Sequence, residues 1–201
     1  MLGYKCGLRL GEAFALTWDC VDFENHSINI NKQVQYSDEK KVWYFTNPKY
    51  NSMRIIEIDS ELTALLLREK ERQDRAKPYY DEYYTYLYED NNRIINDQKN
   101  GLQVDLVSVR ECGTFIQPRI MQHTSSVIHH QMNFQDFTYH SLRHTHATML
   151  AENDAPPKYV QTRLGHKNIQ ITMQIYQHLT KKISDKGTEI LETMFETKET
   201  V

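Results

Sequence analysis

The stretch Asp154-Ala155-Pro156-Pro157 constrains this chain more than any other. Proline has no amide proton to donate and disfavours helix in the residue before it, so a helical run must end there. Upstream, His140, Arg143 and His144 have helical spacing and share one face, and Thr145 to Leu150 continues the run. Downstream, Lys158 to Leu164 forms a short second helix. Gly165 suits the left-handed cap that closes it, which leaves His166 just past a helix end. Asn168 reads as the N-cap of a third helix carrying Ile171, Ile175 and Tyr176.

The residue types in this helical region point to a chemistry. A phosphodiester gains negative charge on its equatorial oxygens as a nucleophile attacks. A guanidinium stabilises that charge through two hydrogen bonds, and an imidazole adds another. Arg143, His140 and His166 are the candidate phosphate holders. A tyrosine hydroxyl is a weak nucleophile near neutral pH, its ordinary pKa being about 10. Cations that stabilise the developing phenolate and phosphorane charge make its attack easier. Tyr176 is the candidate nucleophile. A covalent phosphotyrosine conserves the bond energy, so a second hydroxyl reseals the strand without ATP or metal.

His140-x-x-Arg143, Leu164-Gly165-His166 and Ile175-Tyr176-x-His178 resemble the C-terminal signature of the tyrosine recombinases of the phage-integrase type. Gly7-Leu8-Arg9-Leu10-Gly11-Glu12 resembles that family's first-arginine motif. Glycines flanking Arg9 let a phosphate backbone approach closely, and Glu12 can hold the arginine or a nearby backbone group. Lys49 lies in the turn Asn47-Pro48-Lys49-Tyr50-Asn51-Ser52, as the family's catalytic lysine lies on a hairpin loop. A lysine there can protonate the leaving 5′-oxygen, or touch phosphate only. Lys40, Lys41 and Arg54 are nearby competitors.

The resemblance runs from Gly7 to His178. It implies an α+β fold, mainly α-helical: the tyrosine-recombinase catalytic domain, with a small antiparallel three-stranded sheet on one edge. It also implies site-specific DNA strand exchange through a 3′-phosphotyrosyl intermediate, serving the integration and excision of a mobile element. Arg9, Lys49, His140, Arg143, His166 and Tyr176 would be catalytic, with no cofactor and no metal. The partners would be double-stranded DNA, other protomers in a synaptic tetramer, and an accessory excision factor. Residues 1–201 read as one catalytic domain, with 179–201 a helical tail that docks on a neighbouring protomer or on its own domain. The family's N-terminal core-binding and arm-binding domains would be absent. The setting would be the bacterial cytoplasm, at the nucleoid when on DNA, and away from membranes.

The remaining segments are read from pattern. Gly3 to Leu16 is a helix broken by glycines, and Asp19 to Asn25 is turn-rich. Ser27 to Gln35, Val42 to Thr46 and Met53 to Ile58 alternate as strands. Asp59-Ser60-Glu61 caps a helix running to about Ala76, whose cationic end reads as a solvated face. Pro78 to Asp90 places six tyrosines among acids at helical spacing, which predicts an aromatic stripe packed on the core. Ile94 to Glu111 reads as a strand pair or an insertion around Asn100-Gly101. Thr114 to Met132 reads as a helix starting at Pro118 and packing behind the His140 helix, with His129 and His130 on the surface. After Tyr176, the apolar spacing of Ile183, Ile190, Leu191, Met194 and Phe195 predicts an amphipathic helix.

Composition leaves this reading open. With 39% hydrophobic and 25% charged residues, the 201-residue chain has a globular balance. No apolar run is long enough to span a bilayer. The start of the chain lacks a signal-peptide pattern, and three scattered cysteines suit free thiols. A net charge of −3 is low for a DNA-binding surface, but the acids cluster at 81–90 and near the C-terminus, which permits a locally basic cleft. Three competing readings stand beside the main one. His140, His144 and His146 could supply zinc ligands, although no glutamate follows His140 and no cysteine lies near. The chain could be a non-catalytic DNA-binding or assembly module of a recombinase. The same chemistry could serve a type IB topoisomerase.

Overall fold

The computed structural model describes residues 1–96, 101–135 and 137–196. The chain divides into two compact units, Met1–His146 and Ala147–Val201.

The first unit opens with two short helices, α1 (Leu2–Cys6) and α2 (Leu10–Ala15). Gly7 caps α1 in the left-handed conformation (φ 65°), as a glycine-broken helix requires. Strands β1 (Val21–Asp22), β2 (Ser27–Ile30), β3 (Gln33–Ser37), β4 (Val42–Thr46) and β5 (Arg54–Glu57) follow. A small antiparallel three-stranded sheet is present, as expected, but the strands read from the sequence are shared between it and a second sheet. β2 lies between β1 and β5, whereas β3 pairs with β4 in a second sheet of five strands, ordered β3-β4-β7-β6-β8. The reason lies at Asn31-Lys32. An unbroken strand would point Lys32 inward with Ile28, Ile30 and Val34. The chain instead leaves one sheet and enters the other, and the Lys32 ammonium sits 4.9 Å from the Phe45 ring centre.

Helix α3 (Ser60–Tyr80) starts where Asp59 accepts a hydrogen bond from the Leu62 amide. It runs one turn past the expected end and carries Pro78 in its last turn. Its cations pair along the helix: Arg72 with Glu69, and both Lys70 and Lys77 with Asp74. The tyrosine segment is not one helical stripe. Tyr79 and Tyr80 end α3, the chain turns at Asp81 (φ 45°) through a short 3-10 turn to Tyr83, and it then goes extended into β6 (Tyr88–Asp90). Tyr88 is buried, while Tyr79 and Tyr83 are among the most exposed side chains. β6 forms a hairpin with β7 (Arg93–Ile95) through Asn91 and Asn92, both left-handed, and also pairs with β8 (Leu102–Gln103). Asn100 lies outside the described residues, as do Glu199 and the rest of the C-terminal end.

Helix α4 (Ile120–Met132) has no fully buried residue, and Met121 at its start packs against the core of the unit. Arg119, just before it, stacks over Tyr36 at 4.0 Å, and His129 bonds to the Phe137 carbonyl rather than standing alone on the surface. The core of the unit is built from α1 and α2, one face of the β2–β5 pair, α3 and the segment Leu106–Val109. Leu8, Ile28, Ile56, Leu62 and Leu106 are fully buried.

Helix α5 (Tyr139–Glu152) crosses the division between the units. In the second unit the chain reverses at Asp154 (φ 57°). Helix α6 (Pro157–Leu164) has proline at its first position and Gly165 (φ 65°) as its left-handed cap. Asn168 accepts from the Gln170 amide and opens α7 (Ile169–Glu196). Ala147, Val160 and Leu164 form this unit's core, with Leu150, Ala155, Ile175 and Tyr176 against it. Ile190, Leu191 and Met194 are exposed on α7, and the side chains of Ile183 and Phe195 lie outside the described residues. Among the described residues, no helix is long and apolar enough to cross a membrane.

Candidate active site

In the first unit the site is built around one buried carboxylate. Arg9 is the N-cap of α2, and Glu12 in the first turn reaches back to it. Glu12 Oε2 accepts from the Arg9 amide (2.9 Å) and Oε1 from Arg9 Nη1 (2.8 Å). From β5, Arg54 approaches the same group with both prongs, Nη1 to Oε1 (3.1 Å) and Nη2 to Oε2 (2.9 Å). The carboxylate has no exposure to water. Burial by itself would raise its pKa, but the hydrogen bonds and charge of Arg54, with those of Arg9, hold it below the ordinary carboxylate value. The expectation that Glu12 fixes Arg9 matches this geometry.

The Arg9 guanidinium also reaches the lysine turn. Arg9 Nη1 donates to Ser52 Oγ (3.2 Å), and Ser52 Oγ donates to the Lys49 carbonyl (2.8 Å). Lys49 opens a single helical turn, Lys49–Asn51, in which Tyr50 is left-handed (φ 63°). Its exposed ammonium lies 5.6 Å from the Tyr50 ring centre. The competing cations are placed elsewhere. Lys40 and Lys41 lie in the β3–β4 turn, and Arg54 is bound to Glu12.

Helix α5 brings Arg143 and His140 to this cluster. Arg143 is buried, and its Nη1 donates to the Gly7 carbonyl (2.6 Å). Burial, followed by the charges of Arg9 and Arg54, pushes its pKa down to about 9, with Glu12 acting in the opposite direction. It therefore keeps its proton at neutral pH in an environment that favours an added anion. The His140 imidazole packs at right angles to that of His144, 4.6 Å between ring centres. Partial burial, then His144, Arg143 and Arg9, hold its pKa below the ordinary histidine value, so it is a neutral base at pH 7. His146 is buried and bonds through Nδ1 to the Tyr4 carbonyl. His140, His144 and His146 thus do not converge. Among the described residues, no group of three or more His, Cys, Asp or Glu side chains is arranged to hold a metal.

The second unit carries His166 and Tyr176. The Gly165 cap presents His166, whose amide donates to the Gln161 carbonyl (3.1 Å). His166 Nδ1 bonds to Oγ1 of the fully buried Thr172 (2.9 Å), which fixes the ring plane. Tyr176, on α7, is half-buried, and its hydroxyl donates to the Ala155 carbonyl in the proline loop. Burial, then the Asp154 charge, pushes the phenol up from its ordinary value.

The first unit therefore gathers Arg9, Arg143, His140 and the Lys49 turn, and the second carries His166 and Tyr176. Arg54 and Ser52 were not assigned to the site from sequence. A signal existed: Ser52-x-Arg54 enters β5 opposite Ile30, and alternation along that strand turns Arg54 to the side of buried Ile56. An arginine at an inward position needs a carboxylate partner.

The likeness to known proteins is extensive. A tyrosine recombinase XerC-like protein of Caldanaerobacter subterraneus subsp. tengcongensis is 31% identical over 97% of this chain and 48% of its own length. The integrase of Staphylococcus phage L54a is 27% identical over 94% of the chain and 49% of its own. The Tn916 transposase of Enterococcus faecalis is 28% identical over 88% of the chain and 40% of its own. The chain thus spans about half the length of the curated relatives it matches, or less. Among solved structures, the Tn1549 transposon integrase in complex with a circular intermediate DNA superposes with a TM-score of 0.68 at 21% identity. That match covers 87% of this chain and 52% of the other. The XerA recombinase superposes at 0.57 and 20% identity, over all of this chain and 56% of the other. These likenesses show the same mixed, mainly helical fold. The profile of the phage integrase family matches residues 1–182, the span that holds the buried Glu12 cluster, the Gly165 cap and Tyr176, and the chain belongs to that family.

Proposed function

We propose that this chain cuts and rejoins DNA strands at specific sites through a covalent link to Tyr176. In the cleavage step the Tyr176 oxygen bonds to phosphorus and the bond from phosphorus to the 5′-oxygen breaks. His140, neutral at pH 7, receives the phenolic proton, and Lys49 supplies one to the departing 5′-oxygen. Arg9 and Arg143 hold the non-bridging oxygens, with His166 donating to the same phosphate. A 5′-hydroxyl of the partner strand attacks the phosphotyrosine and reverses the step. No metal or nucleotide takes part.

The observation that carries this reading is the convergence of Arg9 and Arg143, with the Lys49 turn, around a single buried carboxylate. One anion balances several cations, and the remaining charge is set to receive a phosphate. The relatives carry names of recombinases, an integrase and transposases, which supports integration and excision of a mobile element as the setting. The structural neighbour with DNA supports duplex DNA as the substrate. Assembly with further protomers into a tetramer, an accessory excision factor, and action at the bacterial nucleoid belong to the same proposal.

The test is a nicked suicide duplex bearing the element's own end sequence, incubated with the protein in EDTA. The expected result is a protein–DNA band that survives denaturation, mapped to Tyr176 by mass spectrometry and lost in Tyr176→Phe. A protein that retards this DNA in a native gel yet forms no covalent band would overturn cleavage in favour of a binding module.

A further inference from the structure

We propose that Arg54 is a positioning residue that couples Arg9 to the turn carrying Lys49; this rests on the phosphodiester chemistry proposed above. The argument begins with where its hydrogen bonds go. One guanidinium spans two elements that the chain does not join directly. Its two prongs hold the Glu12 carboxylate that aims Arg9. The same Nη1 also donates to the Ser52 carbonyl (3.0 Å), at the end of the lysine turn. Ser52 closes the circuit, because its hydroxyl accepts from Arg9 and donates to the Lys49 carbonyl.

The energetics favour a rigid frame. The Arg54 side chain is 5% exposed and the Glu12 side chain is not exposed at all. A buried ion pair of this kind contributes little net stability over a well-packed apolar pair, so stability is a poor reason for it. What it supplies is fixed geometry. The turn it holds contains two left-handed residues other than glycine, Tyr50 and Asn51, a conformation that costs free energy and needs outside support. The role is one of positioning, not of catalysis: Nη1 and Nη2 hold Glu12, and Nη1 also holds the Ser52 carbonyl. Arg54 acts through Arg9, which meets the phosphate, and through Lys49, which meets the leaving oxygen.

The test compares ordinary DNA with DNA carrying sulfur in place of the bridging 5′-oxygen at the cleavage site. A thiolate leaves without being protonated, so a defect in proton delivery disappears on the sulfur substrate. The readout is the ratio of covalent-complex rates, sulfur over oxygen. A loss of folded protein lowers both rates equally and leaves this ratio unchanged. Lys49→Ala sets the largest ratio. Arg54→Lys keeps the charge but loses the two-pronged contact. It is expected to slow cleavage of ordinary DNA by about 100-fold, the order that follows from displacing a reacting group by an ångström. Its ratio is expected to rise about 10-fold, a part of what a general acid contributes. Ser52→Ala leaves the buried pair intact and is expected to raise the ratio less, which keeps the test decisive if Arg54→Lys fails to fold. Ratios equal to the unsubstituted protein's in both variants would overturn the coupling alone. No covalent complex from the unsubstituted protein on either DNA would overturn the proposed function and the coupling with it.

Discussion

Arg143 Nη1 donates to the Gly7 carbonyl at 2.6 Å, a bond between residues 136 positions apart in the chain. The acceptor belongs to the left-handed glycine that separates α1 from α2. The contact therefore sets the depth of the α5 arginine against the turn that carries Arg9. Lysine cannot reproduce a fork that binds this carbonyl and a phosphate oxygen together. Arg143→Lys is expected to slow covalent-complex formation by about 100- to 1,000-fold. It should also destabilise the protein by about 1–3 kcal/mol, through an under-satisfied buried carbonyl. Suicide-substrate kinetics and urea melts of the same preparations measure the two effects.

The depressed Arg143 value means that burial beside Arg9 and Arg54 disfavours its cation. An anion bound there relieves that cost. Sulfate or inorganic phosphate is therefore expected to raise the melting temperature, with about 2.7 kcal/mol of stabilisation at a hundredfold excess over the dissociation constant. Thermal scans at constant ionic strength, with chloride as the control salt, check this. Arg143→Met should lose the difference between the salts.

Glu12 ties two arginines together from a fully buried position. Its pKa in the folded state lies below the ordinary value, so its contribution is fully present above the unfolded-state value and is lost as pH falls through the folded one. Denaturant melts between neutral pH and pH 3 should show stability declining once the pH drops below that of an ordinary glutamate. In Glu12→Gln, which leaves two guanidiniums without their carboxylate, stability at neutral pH should be lower by about 3–5 kcal/mol. Its acid-side decline should also be shallower.

His140 is held below the ordinary histidine value, so it remains a neutral base at pH 7 and protonates only in more acidic solution. The rate of covalent-complex formation should be level near neutrality and fall on the acid side of the ordinary histidine value of about 6.5. A rate–pH profile in His140→Gln should lack that limb and lie lower by about 100-fold or more at neutral pH.

The Tyr139 hydroxyl is buried without a hydrogen-bond partner, packed near Gly3 and Leu142. A buried hydroxyl of this kind opposes folding. Tyr139→Phe should leave stability unchanged or raise it by up to about 1 kcal/mol, with cleavage unaffected. A clear loss of stability in equilibrium melts would mean that the hydroxyl is satisfied in solution.

Much of this protein was written locally. Pro156-Pro157 and Gly165 determined where α5 and α6 end, because a missing amide proton and a left-handed residue act within a turn of themselves. The capping of α3 by Asp59 and of α7 by Asn168 depends on side chains that reach only a few residues. Glu12 was legible as the partner of Arg9 for the same reason, being three positions away. Features that depend on distant segments were not legible. The split of one sheet into two at Asn31-Lys32 follows from which partners accept a strand that cannot bury a lysine. The tyrosines of 78–90 do not share one helix: Tyr79 and Tyr80 end α3, and Tyr88 pairs with β7 and β8 in extended form. Tertiary structure alone placed Arg54 on Glu12, 42 positions away, and Arg143 on Gly7. Periodicity reports only which face of an element is apolar. The choice of which buried carboxylate an inward arginine finds is made by the packing of the whole unit.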